Sequence, residues 1–146
     1  MSLSLETNSL KLATAEDADV VMELMREFHS NTMYARVTDF EEEYVRDQFL
    51  HLIKAPVQDS CVVLMKSGDS IIGLVAMTKF TSSFDSKVEI AIEKAFWIKP
   101  EYRNFARLKL MLKAFYYWAQ TAGYKAALVG KLRVKNSPEY YSMRVF

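Results

Sequence analysis

The stretch with the most chemistry in it is Glu93 to Gly123, EKAFWIKPEYRNFARLKLMLKAFYYWAQTAG. Ala95, Phe96, Trp97 and Ile98 predict a strand that stops at Pro100, and a turn then carries Tyr102, Arg103 and Asn104 into a long helix. Such a turn leaves backbone N–H groups unpaired at the positive end of the helix dipole. Arg103, Arg107 and Lys109 add cations to the first turns, where the dipole alone disfavours them. Amides and cations together make a seat for a pyrophosphate or another anion; the bland alternative is an exposed basic helix start. Two carboxylates, Glu89 and Glu93, stand on the preceding strand. Taking a proton from an ammonium needs such a carboxylate with a raised pKa, or a water held by one. Each is otherwise an exposed strand residue. His29 and His51 have no Cys or carboxylate partners at metal-binding spacing, so no metal site is expected. Cys61 lies inside an apolar run and reads as a small buried residue.

The elements that must position these groups follow in a simple order. Ser9 to Ala13 predicts a first strand, and Thr14 caps a helix with Val21, Leu24, Met25 and Phe28 inward, ending near His29–Asn31. Thr38 and Glu41 predict a capping box for a second helix, with Val45, Phe49, Leu52 and Ile53 inward until Pro56. Ser60–Lys66 and Ser70–Phe80 form a hairpin about Ser67-Gly68-Asp69. Gly73 inside the second strand signals a bulge or a close backbone approach. Val88 to Ile98 is a third antiparallel strand. The long helix buries Leu108, Met111, Leu112, Phe115, Ala119 and Ala122, and Gly123 stops it. Lys125–Val134 must then run parallel to the strand before the helix, because a helical crossover joins them. Ser137 and Pro138 predict the start of a final helix.

Composition narrows the class. With 146 residues, 51% of them hydrophobic and 25% charged, one globular domain spanning 1–146 is expected. The formal charge of +1 offers no bulk attraction to nucleic acid or to an anionic membrane. A single cysteine permits no intramolecular disulfide, no basic leader opens the chain, and no apolar run is long enough to span a bilayer. A cytoplasmic location is expected.

The order β-α-α-β-β-β-α-β-α, with the residues at its joints, resembles the GNAT family, the Gcn5-related N-acetyltransferases. The resemblance covers nearly the whole chain. It is carried by Leu10-Lys11-Leu12-Ala13-Thr14 with Glu16-Asp17-Ala18, by Gly68-Asp69-Ser70-Ile71-Ile72-Gly73, and by Ile98-Lys99-Pro100-Glu101-Tyr102-Arg103. Trp118-Ala119 to Gly123, then Asn136 and Tyr141 to Phe146, carry it further. Phe28-His29 to Tyr34-Ala35 is also similar to small GNAT-like proteins of tailed bacteriophages. The resemblance implies an α/β (α+β) domain of three layers. Its mixed, mostly antiparallel sheet is flanked by helices, with the family's C-terminal strands missing because the chain stops at Phe146.

It further implies an acetyl-CoA-dependent N-acetyltransferase with acetyl-CoA as co-substrate, no metal, and an unidentified amine as acceptor. The backbone of Phe96, Trp97 and Ile98 would pair with the pantetheine arm. Arg103, Asn104, Phe105, Ala106, Arg107, Leu108 and Lys109 would form the pyrophosphate loop, and Asn136 would touch the coenzyme. Tyr141 would return a proton to the departing thiolate, with Glu93 or Glu89 as base. Helix one, helix two and the Thr81–Lys87 loop would line the acceptor side. The family's loop has small residues where Ala106 and Leu108 stand here. That keeps an alternative open: a non-catalytic GNAT-like binding or virion-associated module with a degenerate coenzyme site. An open edge on the strand after Gly123, together with apolar Tyr140–Phe146, predicts a homodimer.

Overall fold

Two strand-forming runs joined through Gly68 and Asp69 make the hairpin on which the rest is laid. The computed structural model of the chain describes residues 8–131 and 140–146. The strands are β1 (Asn8–Leu12), β2 (Cys61–Ser67), β3 (Ser70–Thr81), β4 (Glu89–Ile98), β5 (Ala126–Lys131) and β6 (Tyr140–Val145). They form one sheet in the order β1-β2-β3-β4-β5-β6. Every neighbouring pair is antiparallel except β4 and β5, which the crossover helix forces to be parallel. The helices are α1 (Ala18–Ser30), α2 (Glu42–Lys54) and α3 (Phe105–Thr121). None of the helices is long and apolar enough to cross a membrane, among the described residues.

Strand alternation divides the core between two layers. Val62, Leu64, Leu74, Ala76, Ala95 and Trp97 face Val21, Leu24 and Met25 of α1 and Phe49 and Leu52 of α2. The intervening residues Val63, Met65, Val75, Phe96 and Ile98 face α3. Each fully buried side chain of this size contributes roughly 1.5–3 kcal/mol. The α3 stripe differs from the expected one. Leu110, Met111, Ala114, Phe115, Trp118 and Ala119 are buried, while Leu108 is 41% exposed. These residues fall in pairs three and four apart, so the stripe is continuous and turned away from Leu108. Gly123 ends the helix with φ of 91°, and the Tyr124 N–H closes the cap on Ala119 O at 3.0 Å.

Two expected elements are corrected. No Thr38 cap opens α2: Glu41 stands at the N-cap without a side-chain bond, and Thr38 Oγ1 donates to Tyr34 O at 2.7 Å. Residues Met33–Arg36 form a 3₁₀ turn whose carbonyl recruits that hydroxyl. The final helix is a strand. β6 pairs along β5 from Ala126 opposite Val145 to Lys131 opposite Tyr140. An aromatic and β-branched run of this length makes a marginal helix, and β5 offers it a ladder of unpaired groups. The C-terminal strands expected to be missing therefore include one that is present. The β5 edge through which a homodimer was expected is covered by β6.

Gly73 shows why β3 carries a glycine. A Cβ there would lie 2.7 Å from Trp97 O and 3.2 Å from Ile98 Cα, both backbone atoms of β4. Beside it the β2–β3 register shifts between Met65 and Lys66. Gly73→Ala should therefore destabilise the fold by about 1–3 kcal/mol, by pushing β4 off the hairpin. Urea unfolding measures this; an unchanged midpoint would show that the two strands are not so close.

Candidate active site

Strands β4 and β5 run together for only two residue pairs, Ala91 opposite Ala127 and Ile92 opposite Leu128. From Glu93 onward β4 pairs with β3 alone. The parting coincides with a β-bulge: Ala76 faces Ala95 and Met77 faces Glu93, which leaves Lys94 as an extra residue on β4. A bulge bends its strand and increases local twist, and this turns the C-terminal half of β4 away from β5. The expected divergence of these two strands is thus present. Among the described residues, no strand pairs with the β5 side of Phe96, Trp97 and Ile98, whose side chains are buried.

Glu93 sits where the strands separate. The Gly130 N–H of β5 donates to its carboxylate, and the same side chain lines a cleft of about 650 Å³ on the α1–α2 side of the sheet. Burial pushes the Glu93 carboxyl up to about 7, against the lowering effect of the Gly130 bond. Glu89 is elsewhere. It lies exposed at the start of β4, 3.0 Å from Lys79 Nζ, which also pairs with Asp59 at 3.1 Å. Of the two candidate bases, the structure brings only Glu93 to the cleft.

Helix α1, the connection through Tyr34 to Phe40, helix α2 and the facing parts of β3 and β4 line the cleft. The Thr81–Lys87 loop, expected among its walls, does not contribute; lining from β3 ends at Phe80. His29 holds the connection in place, with Nε2 lying 3.1 Å from Thr38 O and 3.0 Å from Thr38 Oγ1. His51 is exposed on α2. A second groove of about 350 Å³ lies between β1, β2 and α3. Its walls are almost wholly apolar, and burial pushes the Cys61 thiol there up to about 12, which leaves it unreactive. Chemistry therefore belongs to the first cleft.

At the other end of the opening, Asn104 caps α3 by accepting the Arg107 N–H at 2.8 Å. The cations do not ring an open anion site as expected. Arg107 donates from Nη1 to Tyr102 O at 2.8 Å and lies over the Tyr102 ring. Arg103 donates from Nε to Ile98 O at 2.7 Å, with its guanidinium 4.4 Å from the Trp97 ring centroid. Both satisfy carbonyls that the strand-to-helix turn leaves without partners. Among the described residues, the Arg103 Nη groups have no hydrogen-bond partner. Phe105, Ala106, Leu108 and Lys109 are exposed around the helix start. Tyr141 lies on a strand instead of a helix, in register with Gly130. Asn136 lies outside the described residues. No three His, Cys, Asp or Glu side chains gather at one point among the described residues.

Sequence reading missed Gly130, Lys94 and the ring-lined connection. Gly130 carries no local signal, and a bulge depends on the partner strand's register. The run MYARVTDFEEEY was a usable clue, since Tyr34, Phe40 and Tyr44 cluster within it.

No family model matches this sequence, and no curated protein matches it. Solved structures do. A possible acetyltransferase from Clostridium difficile 630 superposes with a TM-score of 0.68 at 10% identity, covering 90% of this chain and 83% of that one. An aminoglycoside acetyltransferase from an uncultured soil metagenomic sample, in complex with sisomicin, gives 0.66 at 12%, covering 89% and 81%. The yncA protein of Salmonella typhimurium, with its cofactor acetyl-CoA, gives 0.69 at 10%, covering 90% and 73%. At these identities the likeness establishes architecture: the chain has the GNAT acetyltransferase fold.

The raised Glu93 value has a consequence for stability. Between the ordinary glutamate value of 4.5 and about 7, the folded chain holds a proton that the unfolded chain has released. Stability contributed by this group is thus full below pH 4.5 and lost as pH rises through 7, by at most about 3 kcal/mol. Glu93→Gln removes the titration. Between pH 5 and pH 8 the wild-type melting temperature should fall further than that of the variant. Parallel curves would mean that Glu93 is not buried.

Proposed function

We propose that this protein is an acetyl-CoA-dependent N-acetyltransferase that joins an amine and the thioester in one ternary complex. The observation that carries the reading is the placement of Glu93, which reaches the cleft on one side and the β4–β5 opening on the other. The residues present fit the co-substrate. Past Glu93, the edge of β4 at Phe96, Trp97 and Ile98, unpaired on its β5 side among the described residues, would offer N–H and C=O groups to an amide-bearing arm. The Phe105 and Ala106 amides at the start of α3, with Arg103 held in place by Trp97 and Ile98 O, suit a pyrophosphate. Acetyl-CoA supplies an activated acetyl group with a thiolate leaving group.

In this reading the ionised Glu93 takes a proton from the ammonium of the acceptor. A value near 7 suits that step, since the group is basic enough to accept a proton yet substantially ionised at neutral pH. The freed amine nitrogen attacks the carbonyl carbon, the C–N bond forms, the C–S bond breaks, and the nitrogen gives up its second proton to solvent as the amide forms. Backbone N–H groups of β4 beyond the bulge stabilise the charge on the carbonyl oxygen. Tyr141 is assigned to protonate the departing thiolate, supported by its register opposite Gly130. Asn136 keeps its assignment as a coenzyme contact.

Isothermal titration with acetyl-CoA tests the reading at its root; no heat at millimolar coenzyme would end it. Arg103→Ala should weaken that binding about tenfold through loss of a charge-assisted contact. Glu93→Gln should lower kcat about 10²-fold or more with acetyl-CoA affinity retained. For the wild type, kcat/KM should rise with pH through about 7 and then level. A flat profile from pH 6 to 8 would remove Glu93 from the mechanism.

A further inference from the structure

We propose that the acceptor held in the 650 Å³ cleft is a small amine on an aromatic body. The inference rests on the acyl-transfer reading for its chemistry, and on the cleft walls for its choice of ligand.

The walls are built from rings. Phe28 and Tyr34 pack with centroids 5.9 Å apart and planes inclined at 36°; His29 and Phe40 pack at 5.4 Å and 56°. All four line the cleft, with Tyr44 from α2 beside them. Tilted aromatic surfaces accept another ring edge-on or offset, and their faces attract one ammonium. The wall also carries hydrogen-bonding groups on Thr38, Gln48 and Thr78.

Charge favours an amine in this cleft. Asp39 and Glu41 stand at the mouth beside the start of α2, and Glu93 lies on the opposite strand wall. Together they can draw in a cationic amine, with Glu93 placed to receive its proton. Two lysines also line the cleft. Lys79 is neutralised by Asp59 and Glu89, and its ammonium is held well above the ordinary lysine range by those bonds, Glu89 first. Lys94, the bulge residue, has no ion pair among the described residues. An ammonium is best placed away from Lys94, against the ring faces and the carboxylates of Asp39, Glu41 and Glu93. An ammonium and a ring both find partners in the cleft.

The rings also connect to the coenzyme side. Phe28 stands edge-on to Trp97 at 6.0 Å, and Trp97 carries Arg103 on its face. A ligand that packs against Phe28 thus presses on the group that orients Arg103.

Two measurements test the proposal. The first is direct binding of phenethylamine, spermidine and an N-terminal alanine tripeptide by ligand-observed NMR, on the full chain without acetyl-CoA. Phenethylamine should bind at least tenfold more tightly than the others, and Phe40→Ala should remove most of that advantage. The second is acetylation of the same three amines, followed by release of coenzyme A thiol. Phenethylamine should have a kcat/KM at least tenfold higher. Tyr34→Ala and Phe40→Ala should act through KM, and Glu93→Gln through kcat. Preference for spermidine or the tripeptide in either measurement overturns the proposal, as does equal binding of all three. If phenethylamine binds selectively but acetyl-CoA does not bind, the transferase reading fails and the cleft's selectivity stands.

Discussion

The arrangement depends on one departure from regular pairing: β4 and β5 stay together for two residue pairs and then separate. A parallel pair buried between helices would ordinarily continue its ladder, because each lost bond leaves a donor or acceptor without a partner. Here the extra residue Lys94 shifts the register of β4 against β3, and the strand bends away. Glu93 is the residue at the point of parting. Its carboxylate takes the Gly130 N–H, so a side chain replaces part of what the backbone gave up. The same position removes it from water and raises its proton affinity. Structural compensation and chemical competence come from one placement.

The turn from β4 into α3 follows a similar logic. Breaking the sheet and starting a helix within a few residues exposes the carbonyls of Ile98 and Tyr102, and Arg103 and Arg107 bind them at 2.7 and 2.8 Å. Two residues that look like anion ligands in sequence are thus first of all the braces of a turn. Lys99 adds a third tie, reaching Glu23 and Glu27 of α1 at 3.2 Å each. These are partly exposed ion pairs of small energetic value, yet they set where α1 lies relative to the turn. Through Phe28 and Trp97, that position links the acceptor cleft to the coenzyme end.

Much of the architecture was legible in sequence because it rests on local signals. Period-two and period-3.6 patterns place β1 to β5 and α1 to α3 within a few residues of their observed bounds, and the crossover rule makes β4 and β5 parallel neighbours. Gly73 and Gly123 are recognisable from backbone demands that few other residues meet. Legibility ended where a local signal had a competitor. Pro138 after Ser137 reads as a helix start, but the edge of β5 turns Tyr140–Val145 into a strand. Thr38 reads as a cap, but a carbonyl from the preceding turn claims its hydroxyl.

Of the site, the sequence by itself determined the inventory: two carboxylates on one strand, cations at a helix start, and a tyrosine near the C-terminus. Which of them act together was decided by tertiary structure. Glu89 and Glu93 are chemically identical and four residues apart, yet one is tied to Lys79 at the surface while the other is half-buried at the strand opening. That difference comes from a β4 bulge fixed by pairing with β3 and from an amide on β5, both of which depend on residues distant in sequence. Proton affinity depends on the solvent and dipoles around a group, and these are supplied by residues distant in sequence.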